Sequence, residues 1–175
     1  MSCELLAGLN GRNCDEAGGV ETWYAFARYD DNGDDVIANI DITAGECTAL
    51  TLEVGKFAYP VNVDIERSSF TDTAVGERVD GAYAREQSAT IMLNGNTATM
   101  IDTIETLCKG RTVWIAKLND GTYELLFSGN GAKCSDERSS GQNFEDMNGT
   151  TLTLTGKETY KAVKIDSVIV LALLA

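Results

Sequence analysis

The densest set of potential ligands in this chain is Asp30-Asp31-Asn32-Gly33-Asp34-Asp35, where carboxylates crowd onto a glycine turn. Such oxygen donors are the raw material of a calcium loop. An EF-hand, however, needs its glycine at the sixth position, a bidentate glutamate at the twelfth and a helix on each side. Here Gly33 is fourth from Asp30 and strand-like runs flank it, so the stretch reads as a tight hairpin turn. Nucleophilic catalysis fares no better. The chain has no histidine, which removes Ser–His and Cys–His arrangements. Among 27 acidic residues a glycosidase-like pair of carboxylates would arise by chance, and "SGNGAK" at 128–133 lacks the strand–loop–helix context of a phosphate loop. The expectation is a protein that is not an enzyme and carries no cofactor or metal.

The other reactive side chains have structural readings. Cys3, Cys14, Cys47, Cys108 and Cys134 are odd in number and include no C-x-x-C pair, so reduced thiols packed as small apolar groups are expected, with a Cys3–Cys14 pairing as the alternative. Trp23 and Trp114 sit in apolar strand-like runs, where core packing is the default and a carbohydrate platform the functional alternative.

The elements that would position these groups are mostly strands. Period-two alternation marks 22–29, 35–42, 48–54, 61–66 and 84–93. Between 61 and 66 it sets Val61, Val63 and Ile65 against Asn62, Asp64 and Glu66. The period then changes. Met100, Ile101, Ile104, Leu107 and Cys108 recur at three- and four-residue spacings, predicting a helix over about 96–109, capped by Asn96 or Thr97 and stopped at Gly110. Strands resume at 112–118 and 122–128 around an Asn-Asp-Gly turn. A polar stretch at 67–81 and a long polar loop at 129–150 follow no period. Asn148-Gly149 opens another strand, "TTLTLT", and "KAVKIDSVIVLALL" offers one or two more. The whole predicts one mainly β domain over 1–175, an antiparallel sandwich or open barrel with one packed helix and an N-terminal arm at about 1–20.

Charge narrows the partners. A net charge of −13 argues against a basic nucleic-acid clamp and against anionic membrane surfaces. Residues 1–80 carry 16 acids against 5 bases, and 81–175 carry 11 against 9, so one part of the molecule should be far more negative. The start lacks a basic n-region, and the nine-residue apolar end is too short to span a bilayer, so a soluble protein used without export is expected. That end, "SVIVLALLA", is apolar on both faces. Read as a strand it needs cover on both sides, which a second subunit would supply. The sequence favours assembly over chemistry.

The order of segments adds a resemblance. "NGNTATMIDTIETLCKG", "RTVWIAKLNDGTYELLFSG", a glycine-rich loop and "FEDMNGTTLTLTGKET" resemble the C-terminal half of tail tube subunits of tailed bacteriophages. The opening "CELLAGLNGRNCDEAGGVETWY" is similar to openings in that group. The resemblance implies a virion structural protein of the tail, assembled in the host cytoplasm. Its rings, hexameric in that family, stack into a tube, with other tail proteins as partners and DNA passing unbound. It implies an inner barrel of joined sheets, for which Asp64, Glu66, Glu86, Ser88 and Thr90 are the candidate lumen lining. An acidic lining would repel phosphates. Lys157, Lys161 and Lys164 are candidates for stacking against the acidic first half of a neighbouring copy, and Val168, Val170, Leu171 and Leu173 for a subunit interface. The rival readings are a head-decoration, connector or tail-terminator protein, and a β-sandwich module binding carbohydrate or a host surface.

Overall fold

Residues Thr112–Ala116 are buried one after another, with no outward side chain among them. A strand of that kind must lie in a sheet covered on both faces. The computed structural model, which describes residues 18–64, 66–76, 83–95, 97–141 and 148–174, is built around it. The elements run β1 (Val20–Ala27), β2 (Ile37–Thr43), β3 (Glu46–Leu52), β4 (Tyr59–Asn62), β5 (Ser68–Val75), β6 (Ala84–Asn94), α1 (Ala98–Lys109), β7 (Thr112–Leu118), β8 (Tyr123–Leu126), β9 (Lys133–Ser139), β10 (Gly149–Glu158), β11 (Val163–Ile165) and α2 (Ser167–Ala172).

A seven-stranded sheet has the order β2-β3-β11-β8-β7-β1-β4, and a four-stranded sheet the order β5-β6-β10-β9. Among the described strand pairs only β3–β11 is parallel, with an isolated parallel bridge between Ala58 and Leu174. The fold is thus mainly β and sandwich-like, as the alternation predicts. Between the sheets lie Trp23, Trp114, Leu126, Phe127, Ile91, Leu152 and Leu154. The two tryptophans meet edge to face at 6.0 Å, with Phe70 against Trp23 at 6.2 Å. On the far side of the seven-stranded sheet, Phe26, Val113, Ile115, Leu125 and Val163 pack against Val170 and Leu173 of the C-terminal segment.

The helix α1 matches its prediction. Thr97 provides the cap, its hydroxyl accepting from the Met100 N–H at 3.3 Å, and Ile104, Met100 and Cys108 face the inter-sheet core. Several other expectations need correction. The turn at Asp30–Asp35 does fold back, with an antiparallel bridge between Tyr29 and Asp35 and the Val36 N–H donating to the Arg28 carbonyl at 3.1 Å, but the pairing stops there, since β1 bonds to β4 and β7, and β2 to β3. Asp30 instead closes its own turn, accepting from the N–H groups of Asn32 and Asp34 at 2.9 and 3.0 Å. The polar stretch at 67–81 contains β5, and the supposed loop at 129–150 contains β9. The strand expected over 61–66 ends at Asn62, and Glu66 sits in a turn with φ of +63°. The terminal apolar run is a helix: Asp166 caps it through the Val168 N–H at 2.8 Å, and it turns Val170 and Leu173 onto the sheet. The N-terminal arm up to residue 17, with Cys3 and Cys14, lies outside the described residues, as do 142–147 of the long loop.

The chain crosses from one sheet to the other at 127–131, and buried polar groups fix that crossing. Phe127 is fully buried with φ of +59°, and its ring lies where a Cβ on Gly156 would come within 2.8 Å. The Gln87 carboxamide accepts from the Phe127 N–H at 2.7 Å and donates to the Tyr160 carbonyl at 3.2 Å. The Glu158 carboxylate, 3% exposed, accepts from the N–H groups of Gly129 and Asn130 at 2.9 and 3.0 Å. Replacing Gln87 by Leu strands the buried Phe127 N–H and removes the bond to the Tyr160 carbonyl, and should cost about 1–3 kcal/mol of stability. Urea unfolding checks this, with Glu86→Gln on the exposed side of the same strand expected to leave the midpoint unchanged.

Candidate functional site

The four-stranded sheet buries one face and presents the other to solvent. On β6, Gln87, Ala89, Ile91 and Leu93 point inward, so Glu86, Ser88, Thr90 and Met92 point out. The register extends this outward set across all strands. Ser69, Thr90, Thr153 and Ser135 form one row, and Thr71, Ser88, Thr155 and Lys133 the next. Hydroxyls of Thr71 and Ser88 are 2.8 Å apart across the β5–β6 pair. Threonine suits this surface because its β-branched side chain favours strands without adding apolar area. The result is a sheet face dominated by hydroxyl groups.

Three of the candidate lining residues, Glu86, Ser88 and Thr90, therefore share this face. Asp64 and Glu66 do not line it. Asp64 accepts from the Asn94 side chain, and both residues lie at the Met92–Asn94 end of the sheet. Among the described strand residues of the face, Glu86 and Glu137 are matched by Lys133 and Lys157, so it is not the carboxylate surface expected from composition.

The charges are instead distributed along the strands. At the Met92 end stand Asp64, Glu66 and Glu137 (opposite Thr151), with Arg67 and Arg138 (opposite Thr150) as counter-charges. At the other end Lys133, Lys157 and Arg111 converge with Glu86 on an open cleft of about 530 Å³. Lys133 and Lys157 have no carboxylate within 4.0 Å among the described residues. Arg111 donates to the Gly131 carbonyl at 3.1 Å, which holds its guanidinium at the cleft wall. The two ends of the sheet therefore differ in charge, with Asp64 and Glu66 standing beside the face and Lys133 and Lys157 on it.

Its edges are equally distinctive. The seven-stranded sheet ends in β4, only four residues long and carrying Pro60, and in β2, whose pairing with β3 is interrupted by two register shifts. Both are recognised ways of blunting an edge against stray pairing. The edges of the four-stranded sheet, β5 and β9, are eight and seven residues long with unbroken register and no proline. The one charge on β5, Asp72, is used internally, bonded to Arg85 at 2.9 Å and to the Ala162 N–H at 2.8 Å. Among the described strands none pairs with the outer side of β5, which leaves a run of its backbone donors and acceptors open to a partner. The β9 edge carries Lys133, Asp136, Glu137 and Arg138, which makes it selective about what it meets.

The three lysines taken as one stacking set are dispersed. Lys157 belongs to the hydroxyl face, Lys161 lies against Gly45 in the β2–β3 turn, and Lys164 on β11 is flanked by Glu46 and Glu124. Of the apolar candidates, Val170 and Leu173 are core residues, and Val168 and Leu171 are exposed at 71% and 62%. Trp23 and Trp114, at 0% exposure, cannot serve as a carbohydrate platform. No group of three or more metal-ligating side chains occurs among the described residues. Comparison of the chain with protein-family models, with curated proteins and with solved structures finds no match in any of the three.

Glu124 gives the Lys164 neighbourhood a testable electrostatic signature. Burial raises its carboxyl above the ordinary value of 4.5, Lys164 pulls the other way, and Asp120 and Asp72 add to the rise. A raised folded-state pKa means the native chain holds this proton more tightly than the unfolded one. The associated stability is present below 4.5 and lost as pH climbs through the folded value. Thermal unfolding should therefore show Glu124→Gln gaining on the wild type as pH rises from 4.5 toward neutrality. A gain by the wild type instead would mean that Lys164 pairing outweighs burial.

Proposed function

We propose that this chain is a tail tube subunit, a virion structural protein whose rings stack into a hollow conduit for DNA. The observation that carries the reading is the four-stranded sheet whose two edges keep unbroken register without proline, one nearly uncharged and one charged, beside a solvent-facing hydroxyl surface. Its strands alternate in direction, so β5 and β9 run oppositely. Copies related by rotation about an axis along the strands then bring β9 of one against β5 of the next in antiparallel pairing. Such a contact is head-to-tail and closes into a ring if the rotation permits. Six copies of a four-stranded sheet would supply 24 strands, a number beyond that at which barrels enclose an aqueous channel.

In that ring the rows that contain Ser88 and Thr90 face the lumen. A hydroxyl lining with balanced charge offers phosphates no array of cations, so passing DNA gains none of the counterion release that would hold it. The charge difference between the two ends of the sheet supports stacking. Rings set head to tail place Lys133, Lys157 and Arg111 of one against Asp64, Glu66 and Glu137 of the next. A connector or terminator would share the ring contact but has no use for complementary ends, and the polarity favours the tube over these.

The test is negative-stain electron microscopy of the purified chain across concentration and salt, paired with an edge variant. The bond from the Met92 N–H to the Arg67 carbonyl at 3.0 Å fixes the ladder's phase. By alternation the N–H of exposed Ala74 points away from β6. Ala74→Pro thus removes one edge donor without breaking the β5–β6 ladder. Wild-type protein should give rings or hollow tubes that shorten at high salt. Ala74→Pro should stay folded by circular dichroism and lower the assembled fraction about tenfold. A wild type that sediments as a monomer under every condition would remove the proposal.

A further inference from the structure

Cys108 and Cys134 are 26 positions apart, on different kinds of element, yet their sulfur atoms are 2.8 Å from each other. That is closer than two unbonded sulfurs normally sit. Cys108 occupies the last turn of α1, which is anchored through buried Ile104. Cys134 is on the inward side of β9, opposite fully buried Leu154 on β10. Both positions are on regular, packed elements, and both side chains are only half buried, so a small reagent can reach them. Cys47 provides the internal contrast. It is buried, its thiol donates to the Ala49 carbonyl at 3.4 Å, and no second sulfur lies beside it among the described residues.

We propose that Cys108 and Cys134 are an oxidisable pair that closes to an intrachain disulfide by exchange with a small disulfide such as oxidised glutathione, tying α1 to the edge strand β9. One thiol loses its proton and attacks the reagent's disulfide, releasing one glutathione thiolate and leaving a mixed disulfide. The second thiolate attacks the protein sulfur of that mixed disulfide and expels the other glutathione. Two protein thiols lose two protons and two electrons in all, and the reagent is reduced to two thiols. The link is independent of the tube reading and would form in a monomer. Burial raises both thiols above their ordinary range, and the adjacent sulfur and Asp136 raise Cys134 further. The pair should accordingly oxidise slowly near neutrality and faster as pH rises.

The experiment exposes the reduced full-length chain to excess oxidised glutathione at about pH 9, where more thiolate forms. The reaction is quenched in acid, free thiols are alkylated, and the protein is digested with trypsin. The expected product is peptide 86–109 joined to peptide 134–138, with the loss of two hydrogens and no retained glutathione. Closing a loop of this length should raise Tm by roughly 5–10 °C, reversed by a thiol reductant. Cys108→Ser and Cys134→Ser should each abolish that oxidant response. Free thiols at both positions after prolonged exposure would overturn the proposal. So would stable glutathione adducts at both, or linkage to another cysteine.

Discussion

A strand with no outward side sets the terms for this fold. Because Thr112–Ala116 are all buried, the seven-stranded sheet that carries β7 must be covered twice. The four-stranded sheet and α1 cover one face, and the C-terminal helix α2 covers the other. This demand decides the state of the last segment. Val168, Ile169 and Val170 are β-branched and favour a strand locally. A capped helix, however, places Val170 and Leu173 on the exposed side of β7 and β8 at three-residue spacing, and a strand there would need a cover of its own. Tertiary burial overrides propensity.

The two sheets must also be held at one relative setting, and apolar packing alone specifies that poorly. Buried polar contacts at the crossing supply the specificity. Gln87 bonds the Phe127 N–H in the crossing and the Tyr160 carbonyl in the β10–β11 connection, while Arg28 donates to the Gly129 carbonyl at 2.9 Å and Glu158 accepts from the same turn. Burial raises the Glu158 carboxyl even though the N–H groups of Asn130, Gly129 and Gly131 and the charge of Arg28 oppose the rise. Desolvation outweighs those favourable contacts in setting its protonation, and the hydrogen bonds fix the geometry of the turn. Once the crossing is set, β5 and β9 have no further partner among the described strands, and the sheet keeps two open sides.

What could be read in advance follows the physics of each segment. Strands with one buried and one solvated face, such as β6 and β10, announce themselves by alternation, and so does the helical period of α1. The outward placement of Glu86, Ser88 and Thr90 follows from the same alternation. β5, "SSFTDTAV", was hidden because it covers the core mainly through Phe70, and its outward threonines resemble a loop. β9, "KCSDERS", was hidden because charges occur on both of its faces. Asp64 and Glu66 fit an alternating pattern in sequence, but the left-handed turn at Glu66 takes them off the strand. Which strands pair, and that Cys108 meets Cys134, are matters of long-range topology that no local period contains.

The distribution of charge is where fold and proposed role constrain each other most. A chain at net −13 could have placed carboxylates over its most regular solvent-facing surface. That surface holds hydroxyls instead, with its few charges cancelling and separated toward opposite ends of the strands. For a free-standing sheet such economy has little purpose, because surface charge assists solubility and edge charge prevents pairing. For a sheet joined side to side it has two. In the proposed ring, a hydroxyl surface of balanced charge would spare neighbouring subunits the side-by-side repulsion that rows of carboxylates would generate at close range. In the proposed tube, opposite charges at the two ends would give every subunit the same complementary contact above and below, so growth along the axis would repeat one interface.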